Sequence, residues 1–215
     1  MTILLTEVYD VTLKKEIRVA AKNGFIRPTI GESFMTHKDF KEVESFVGPS
    51  TIGEFFQGGY YAGDITIGSD TYAILVAPKT GGESNRPLIN TGDEFTEGTN
   101  SYVDGYANTE AMINKNPTTY TAAAFCWNLN LNGYTDWYLP SLNECILIYT
   151  NRATVEPIAG SFRGSYLGGW HWTSTTSVPP NTLYKHVIEF SGGGYTVQNA
   201  GYDHYIRAIR RVKIN

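Results

Sequence analysis

The residues of this chain that could do covalent or metal chemistry are two cysteines and four histidines. Cys126 and Cys145 both fall inside apolar patterns typical of helices, where a free cysteine commonly acts as a small buried side chain. Two interpretations stay open, a pair of buried thiols or a disulfide between the two helices. The histidines form no metal-binding spacing: they are His37, His171, His186 and His204. We therefore predict no catalytic residue, metal site or cofactor, and an enzyme would require both thiols to be accessible and reactive.

A second kind of candidate is a tyrosine on a loop rich in glycine and asparagine. Tyrosine offers a large contact area at low entropy cost, which suits stacking on a glycan or recognition of a protein. Seven residues in such surroundings are predicted to contact a ligand: Tyr102, Tyr106, Tyr166, Tyr195, Tyr202, Asp203 and His204. Trp170 and Trp172 alternate with His171, so the two tryptophans are expected on one face, with Trp172 as a core anchor.

The composition favours a turn-rich protein with much β-structure. The 215 residues include 22 glycines and 15 tyrosines, and only 18% are charged. The net charge of −4 argues against a general nucleic-acid binder, which would carry an excess of basic residues. No apolar run approaches the roughly 20 residues that cross a bilayer, and the first residues lack a signal-peptide pattern, so we expect no membrane insertion.

Basic residues collect at the two ends of the chain. We interpret them as solvated faces of strands or helices, with a contact to an acidic partner as the alternative. They are Lys14, Lys15, Arg18, Lys22, Arg27, Arg207, Arg210, Arg211 and Lys213.

Periodicity predicts the elements that must position the candidate residues. Two β-prone runs, 65–67 and 71–77, flank a Gly-Ser-Asp turn and predict a hairpin. Residues 78–107 are predicted to form a long surface loop. Three helices are then expected: 108–114, a segment from Thr118 or Thr119 to about Leu131 that Gly133 ends, and 142–151. Ser141 and Glu144 form a capping-box pattern at the start of the last helix.

The C-terminal third is predicted as short strands. They cover 168–173, 184–190, 195–197 and 205–213. In the last run Arg210 interrupts an apolar face, which indicates a bulge, a buried pairing partner or a contact with another chain.

Residues 1–50 differ from the rest because they are dense in charge and poor in glycine. A helix is predicted over 36–47, and residues 13–21 fit either a short helix or a strand through Ile17. With little apolar core of its own, this segment is interpreted as an arm that packs on another chain.

Three blocks carry a family resemblance. They are residues 133–141 (Gly-Tyr-Thr-Asp-Trp-Tyr-Leu-Pro-Ser), 172–175 (Trp-Thr-Ser-Thr) and 206–210 (Ile-Arg-Ala-Ile-Arg). In this order they resemble a bacterial and phage domain family of unknown function, found at the C-terminus of the Legionella collagen-like protein. The resemblance covers roughly residues 51–215. The family usually has a basic residue where this chain has Tyr138, so a salt bridge or ligand contact at that position is not carried over.

The resemblance implies an α+β, C-type-lectin-like fold for residues 51–215, in which two helices flank small twisted antiparallel sheets and residues 1–50 form an N-terminal arm. Asp136 is then expected to bind turn amides, and Trp137 to pack between the helices. The usual calcium site of lectins is not expected, because residues 178–181 (Val-Pro-Pro-Asn) lack its carboxylate. Fold alone does not decide function, which depends on the residues placed on it.

The function implied by the resemblance is that of a non-enzymatic phage virion protein in a tail, fibre or baseplate. Residues 1–50 would attach to other virion proteins, and the lectin-like domain would bind a host-surface glycan or protein. A homotrimer is expected by analogy with other virion appendages. Two alternatives remain: a structural decoration or cement subunit that binds no receptor, and a bacterial surface adhesin.

Overall fold

The computed structural model describes residues 8–10, 15–17, 48–90, 97–162, 169–176 and 184–214. The chain divides into two compact units, residues 1–45 and residues 46–215. In the first unit, β1 (Val8–Asp10) pairs antiparallel with β2 (Lys15–Ile17). The segment around Ile17 is therefore a strand where it is described, and the helix predicted over 36–47 lies outside the described residues.

The second unit begins and ends with strands of one four-stranded antiparallel sheet. Its strands are β3 (Phe55–Phe56), β4 (Gly59–Ile67), β5 (Asp70–Val76) and β11 (Ile209–Lys213), in the order β11-β5-β4-β3. The predicted hairpin is confirmed as β4–β5, with Gly68 at a φ of +64° in its turn. The closing strand β11 pairs with β5, the second strand of that hairpin.

The second sheet has five strands. They are β6 (Glu83–Arg86), β7 (Trp170–Thr176), β8 (Tyr184–Glu189), β9 (Tyr195–Asn199) and β10 (His204–Arg207), in the order β6-β10-β7-β8-β9. All neighbours are antiparallel except β10 and β7, which are parallel. The prediction of a long surface loop over 78–107 is wrong for the first part of that segment. Strand β6 joins this sheet, and the residues Leu88 and Ile89 that follow it are buried.

The helices differ from their predicted lengths. They are the single turn α1 (Lys79–Gly82), α2 (Gly105–Lys115), α3 (Thr121–Trp127) and α4 (Leu142–Ala159). Helix α3 ends at Trp127, well before Gly133, which lies in a separate turn. Helix α4 continues to Ala159, although Pro157 stands in its last turn. Among the described helices, none has both the length and the apolar character required to cross a bilayer.

The capping box at the start of α4 is confirmed and is buried. Glu144 N–H donates to the Ser141 hydroxyl (3.4 Å), and Ser141 N–H donates to Glu144 Oε2 (2.7 Å). The Tyr138 hydroxyl also donates to Glu144 Oε1 (2.7 Å). Burial raises the pKa of Glu144 to about 7, although these hydrogen bonds oppose the shift. Tyr138 is thus an internal partner of the helix cap.

The two residues before Tyr138 are also structural. The expectation that Asp136 binds turn amides is wrong for the residues that the structure describes; its carboxylate accepts from Arg210 Nε (2.7 Å) and Nη2 (2.8 Å). Trp137 is fully buried among residues of α2 and α3, and its indole N–H donates to the Tyr134 carbonyl (3.0 Å). This part of the sequence block therefore joins helices and strands.

The single strand predicted over 205–213 is two strands in two different sheets. The run is divided at Ala208 into β10 and β11, and Ala208 N–H donates to the Gly82 carbonyl (3.0 Å). Of the three alternatives for Arg210, a buried pairing partner is confirmed, since Arg210 is only 5% exposed and binds Asp136. The interpretation as a solvated basic face is wrong for Arg210 and for Arg207, which is 3% exposed.

Two main apolar clusters form the core. One packs α2 and α3 against the five-stranded sheet around Trp137 and Trp172. The other packs α4 between the two sheets, with Ile74, Ile188 and Ile209 in contact with it. Trp172 is fully buried, as predicted, and the described unit is an α+β domain.

Candidate functional site

The best candidate for a recognition site is an aromatic patch on strands β8 and β9. Cross-strand pairing sets His186 beside Val197, with Tyr184 and Tyr195 following on the same face because side chains alternate along each strand. The fractions exposed are 42% for Tyr184, 59% for Tyr195 and 38% for Val197. An unusual share of apolar and aromatic surface is therefore open at the edge of the five-stranded sheet.

Tyr102 completes this patch from outside the sheet. Its hydroxyl lies 3.1 Å from His186 Nε2 in a hydrogen bond, and the two rings meet edge to face at 5.4 Å. The backbone of Tyr102 is held as well, because its carbonyl accepts from Asn143 N–H at the start of α4 (2.9 Å). We call the set Tyr102, Tyr184, His186, Tyr195 and Val197 the β8–β9 surface.

The electrostatics of the β8–β9 surface are nearly neutral. Burial lowers the pKa of His186, so its imidazole is uncharged at neutral pH. The five side chains therefore offer phenol hydroxyls, an imidazole and apolar ring faces, with no carboxylate or ammonium among them. Such a set can stack on a sugar ring or an apolar side chain and add a few hydrogen bonds.

The predicted ligand residue His204 lies on the other face of the five-stranded sheet, and Tyr202 and Asp203 precede it in the connection between β9 and β10. His204 packs on Trp172 at 4.7 Å between ring centres, and its Nε2 lies 2.9 Å from Gln198 Oε1. His204 is at the start of β10 rather than on a loop. Tyr202, by contrast, is 59% exposed.

Two other predicted residues do not lie on described loops. Tyr106 is in helix α2, half-buried, with its ring 5.4 Å from Trp127 and 5.7 Å from Tyr138. The Arg211 guanidinium lies 5.2 Å from the same ring, so Tyr106 has internal partners. Tyr166 lies outside the described residues. The six predicted residues that the structure describes are thus spread over separate places, and of these six Tyr102 and Tyr195 belong to the β8–β9 surface.

No pattern in the sequence marked Tyr184, His186 and Val197 as parts of one surface. The alternating pattern over 184–190 was a usable signal for a strand, but alternation does not tell which face is open to solvent. That depends on helix α4, which covers the same face farther along at Ile188. The exposed end of the face could be recognised only once the packing was known.

Three of the candidates for covalent chemistry, Cys126, Cys145 and His171, are buried. Cys126 and Cys145 are buried free thiols, so the disulfide alternative is wrong, and burial raises the pKa of both. His171 is buried with its Nδ1 2.7 Å from the Gly169 carbonyl, and burial lowers its pKa to about 3. Within the described part of the chain, no three metal-ligating side chains come together.

A second exposed feature is a groove of about 460 Å³ between β6 and α3. Its walls include Arg86, whose guanidinium lies 4.8 Å from the centre of the Phe125 ring. No residue of this groove was predicted as a site, because Arg86 and Phe125 are far apart in sequence and neither belongs to a motif.

Comparison of the chain with protein-family models and with curated proteins finds no match.

Proposed function

We propose that this protein is a non-enzymatic virion protein of a phage, whose second unit is C-type-lectin-like and binds the surface of a host cell. The observation that carries the proposal is the β8–β9 surface. It is a contiguous patch of three tyrosines, a neutral histidine and a valine, and it is held in place by sheet pairing and by the Tyr102–His186 hydrogen bond.

Strand pairing preorganises the β8–β9 surface for a ligand. An exposed tyrosine on a loop must lose conformational freedom when a ligand binds, whereas Tyr184 and Tyr195 stand on paired strands. An exposed apolar patch at a sheet edge promotes non-specific association of protein molecules. Such a patch is therefore more typical of a binding surface than of a surface without a function. Recognition of a glycan or a protein on the host is the use that these side chains fit best.

The rest of the proposal follows the family resemblance. Residues 1–50 attach the chain to other virion proteins, and the assembled form is a homotrimer. The lectin-like architecture is supported by the α+β organisation with helices packed on small sheets, and by the C-terminal strand that pairs back to the opening hairpin.

The test is binding of fluorescently labelled full-length protein to intact candidate host cells. The chain offers a matched pair of variants, because Tyr195 and Tyr202 are both 59% exposed but lie in different places. We expect saturable binding that Tyr195→Ala weakens at least about tenfold and Tyr202→Ala leaves unchanged.

Two outcomes would contradict the proposal. Loss of binding in Tyr202→Ala alone would remove the β8–β9 surface as the site. Absence of binding by the unmodified protein across a broad host panel would favour the structural subunit, in which the same surface packs against another virion protein.

A further inference from the structure

We infer that the groove between β6 and α3 is a binding site for an acidic sugar, a monosaccharide unit that carries a carboxylate on its ring, such as a hexuronate. The groove lies away from the β8–β9 surface, and the inference does not depend on host-cell binding.

The cation of the site is Arg86. Its Nε donates to the Ser84 hydroxyl (3.0 Å), and its guanidinium stacks over Phe125, so the side chain is held in one orientation. The two terminal nitrogens of Arg86 have no partner among the described residues, which distinguishes it from Arg207, Arg210 and Arg211. A fixed guanidinium with free terminal N–H groups is suited to a bidentate contact with a carboxylate.

The neutral part of the site suits the rest of a sugar. Ala124, Phe125 and Leu129 provide apolar lining, against which the C–H face of a pyranose ring can pack. Asn128 and Asn130 also line the groove, and their side-chain amides have no protein partner in the part of the chain that the structure describes. Amides of this kind both donate to and accept from sugar hydroxyls.

The size of the groove and the charge of its lining restrict the class of ligand further. A groove of about 460 Å³ falls in the range of small-molecule sites and accommodates one or two sugar units. The lining contains one charged residue, Arg86, and no carboxylate, so a negative group is favoured over a positive one. A free carboxylate without a ring would use Arg86 but would leave the apolar lining and the two amides uncontacted.

The test is a titration of the full-length protein with D-glucuronate, followed by two-dimensional NMR, with glucose and acetate in parallel. We expect a dissociation constant near the millimolar range for glucuronate, with shifts at the amides of Asn128 and Asn130, and binding at least about fivefold weaker for glucose and for acetate. Higher salt should weaken glucuronate binding.

The matched variants are Arg86→Met and Arg152→Met. Arg152 also stacks on an aromatic ring, at 3.9 Å from the centre of Tyr149, but it lies on helix α4 and does not line the groove. We expect Arg86→Met to weaken glucuronate binding at least about tenfold and Arg152→Met to leave it unchanged. Methionine keeps an apolar contact with Phe125, and the dispersed NMR spectrum of each variant reports whether it is folded.

Three results would overturn the inference: no shifts with glucuronate up to about 20 mM, equal affinity for glucose, or equal affinity in Arg86→Met. Because free sugars are used, these results are independent of whether the protein binds cells.

Discussion

Arg207 gives the sharpest prediction about stability. It is 3% exposed and donates from Nε (3.1 Å) and Nη2 (2.6 Å) to Glu83 Oε2 on the neighbouring strand. The guanidinium also stacks on Phe162 at 4.5 Å and reaches the Ser161 carbonyl at 3.1 Å, just beyond the end of α4. One side chain thus joins β10, β6 and the chain that follows α4.

The perturbation is Arg207→Met, which keeps much of the apolar stem and removes the charge. It leaves the Glu83 carboxylate with a side chain that is only 10% exposed, and the one other cation paired with it among the described residues is Lys79, at 3.4 Å. Breaking a buried pair from one side typically costs about 3–5 kcal/mol, because the remaining charge stays desolvated. We expect a loss in that range, near the lower end because Lys79 compensates part of the charge.

The assay is urea denaturation at pH 7, followed by tryptophan fluorescence, since Trp137 and Trp172 are fully buried and report on the core. Lys213→Met is the matched control: Lys213 also pairs with a carboxylate, Asp70 at 2.9 Å, but its side chain is 53% exposed. We expect no measurable loss in the control, because exposed pairs contribute little.

The reasoning would be refuted if Arg207→Met cost less than about 1 kcal/mol, or if both variants lost the same amount. Should Arg207→Met fail to fold, the double variant Glu83→Gln with Arg207→Met tests the same point. It removes the uncompensated charge and is expected to be more stable than Arg207→Met alone.

Three further predictions concern buried groups. The pKa of His171 is about 3 in the fold against an ordinary 6.5, so only the unfolded chain takes up this proton between those values. Stability is therefore lost as pH falls, and from pH 6.5 to 4.5 the wild type should lose about 2 kcal/mol relative to His171→Phe in urea titrations; parallel pH profiles would contradict this. Cys126 and Cys145 should react with a chromogenic thiol reagent only after denaturant is added, and reaction of either thiol in the native protein would show that it is accessible. Ser141→Ala should cost about 1–2 kcal/mol in the same urea assay because it removes the α4 cap, and a loss below about 0.5 kcal/mol would mean that the cap contributes little.

Local patterns were enough to predict several parts of the fold. The Gly-Ser-Asp turn between two β-prone runs predicted the β4–β5 hairpin, and Ser141 with Glu144 predicted the start of α4. These features depend on residues within a few positions of one another, where turn chemistry and capping act directly. The ends of α3 and α4 were predicted poorly, because tertiary packing rather than propensity decides where those helices stop.

Features that depend on distant partners were not predictable. Arg207 looked like part of a solvated basic run, but its partner Glu83 is 124 positions away. The division of the last strand at Ala208 likewise follows from which sheet edge each half meets. For the candidate site, tyrosine richness pointed to Tyr102 and Tyr195, whereas His186 and Val197 became recognisable only through the register of β8 and β9.

The division of the C-terminal segment also has a consequence for how the protein is made. Strands β10 and β11 belong to different sheets, and β11 is the partner of β5, which leaves the ribosome long before it. Until the segment containing both strands has emerged, neither sheet of the second unit can be completed. Strand β5 then lacks its partner β11, and strand β7 lacks its partner β10, so each has one unpaired edge. A nascent chain therefore carries unpaired strand edges through most of its synthesis, the condition in which non-local β-proteins fold slowly and associate wrongly.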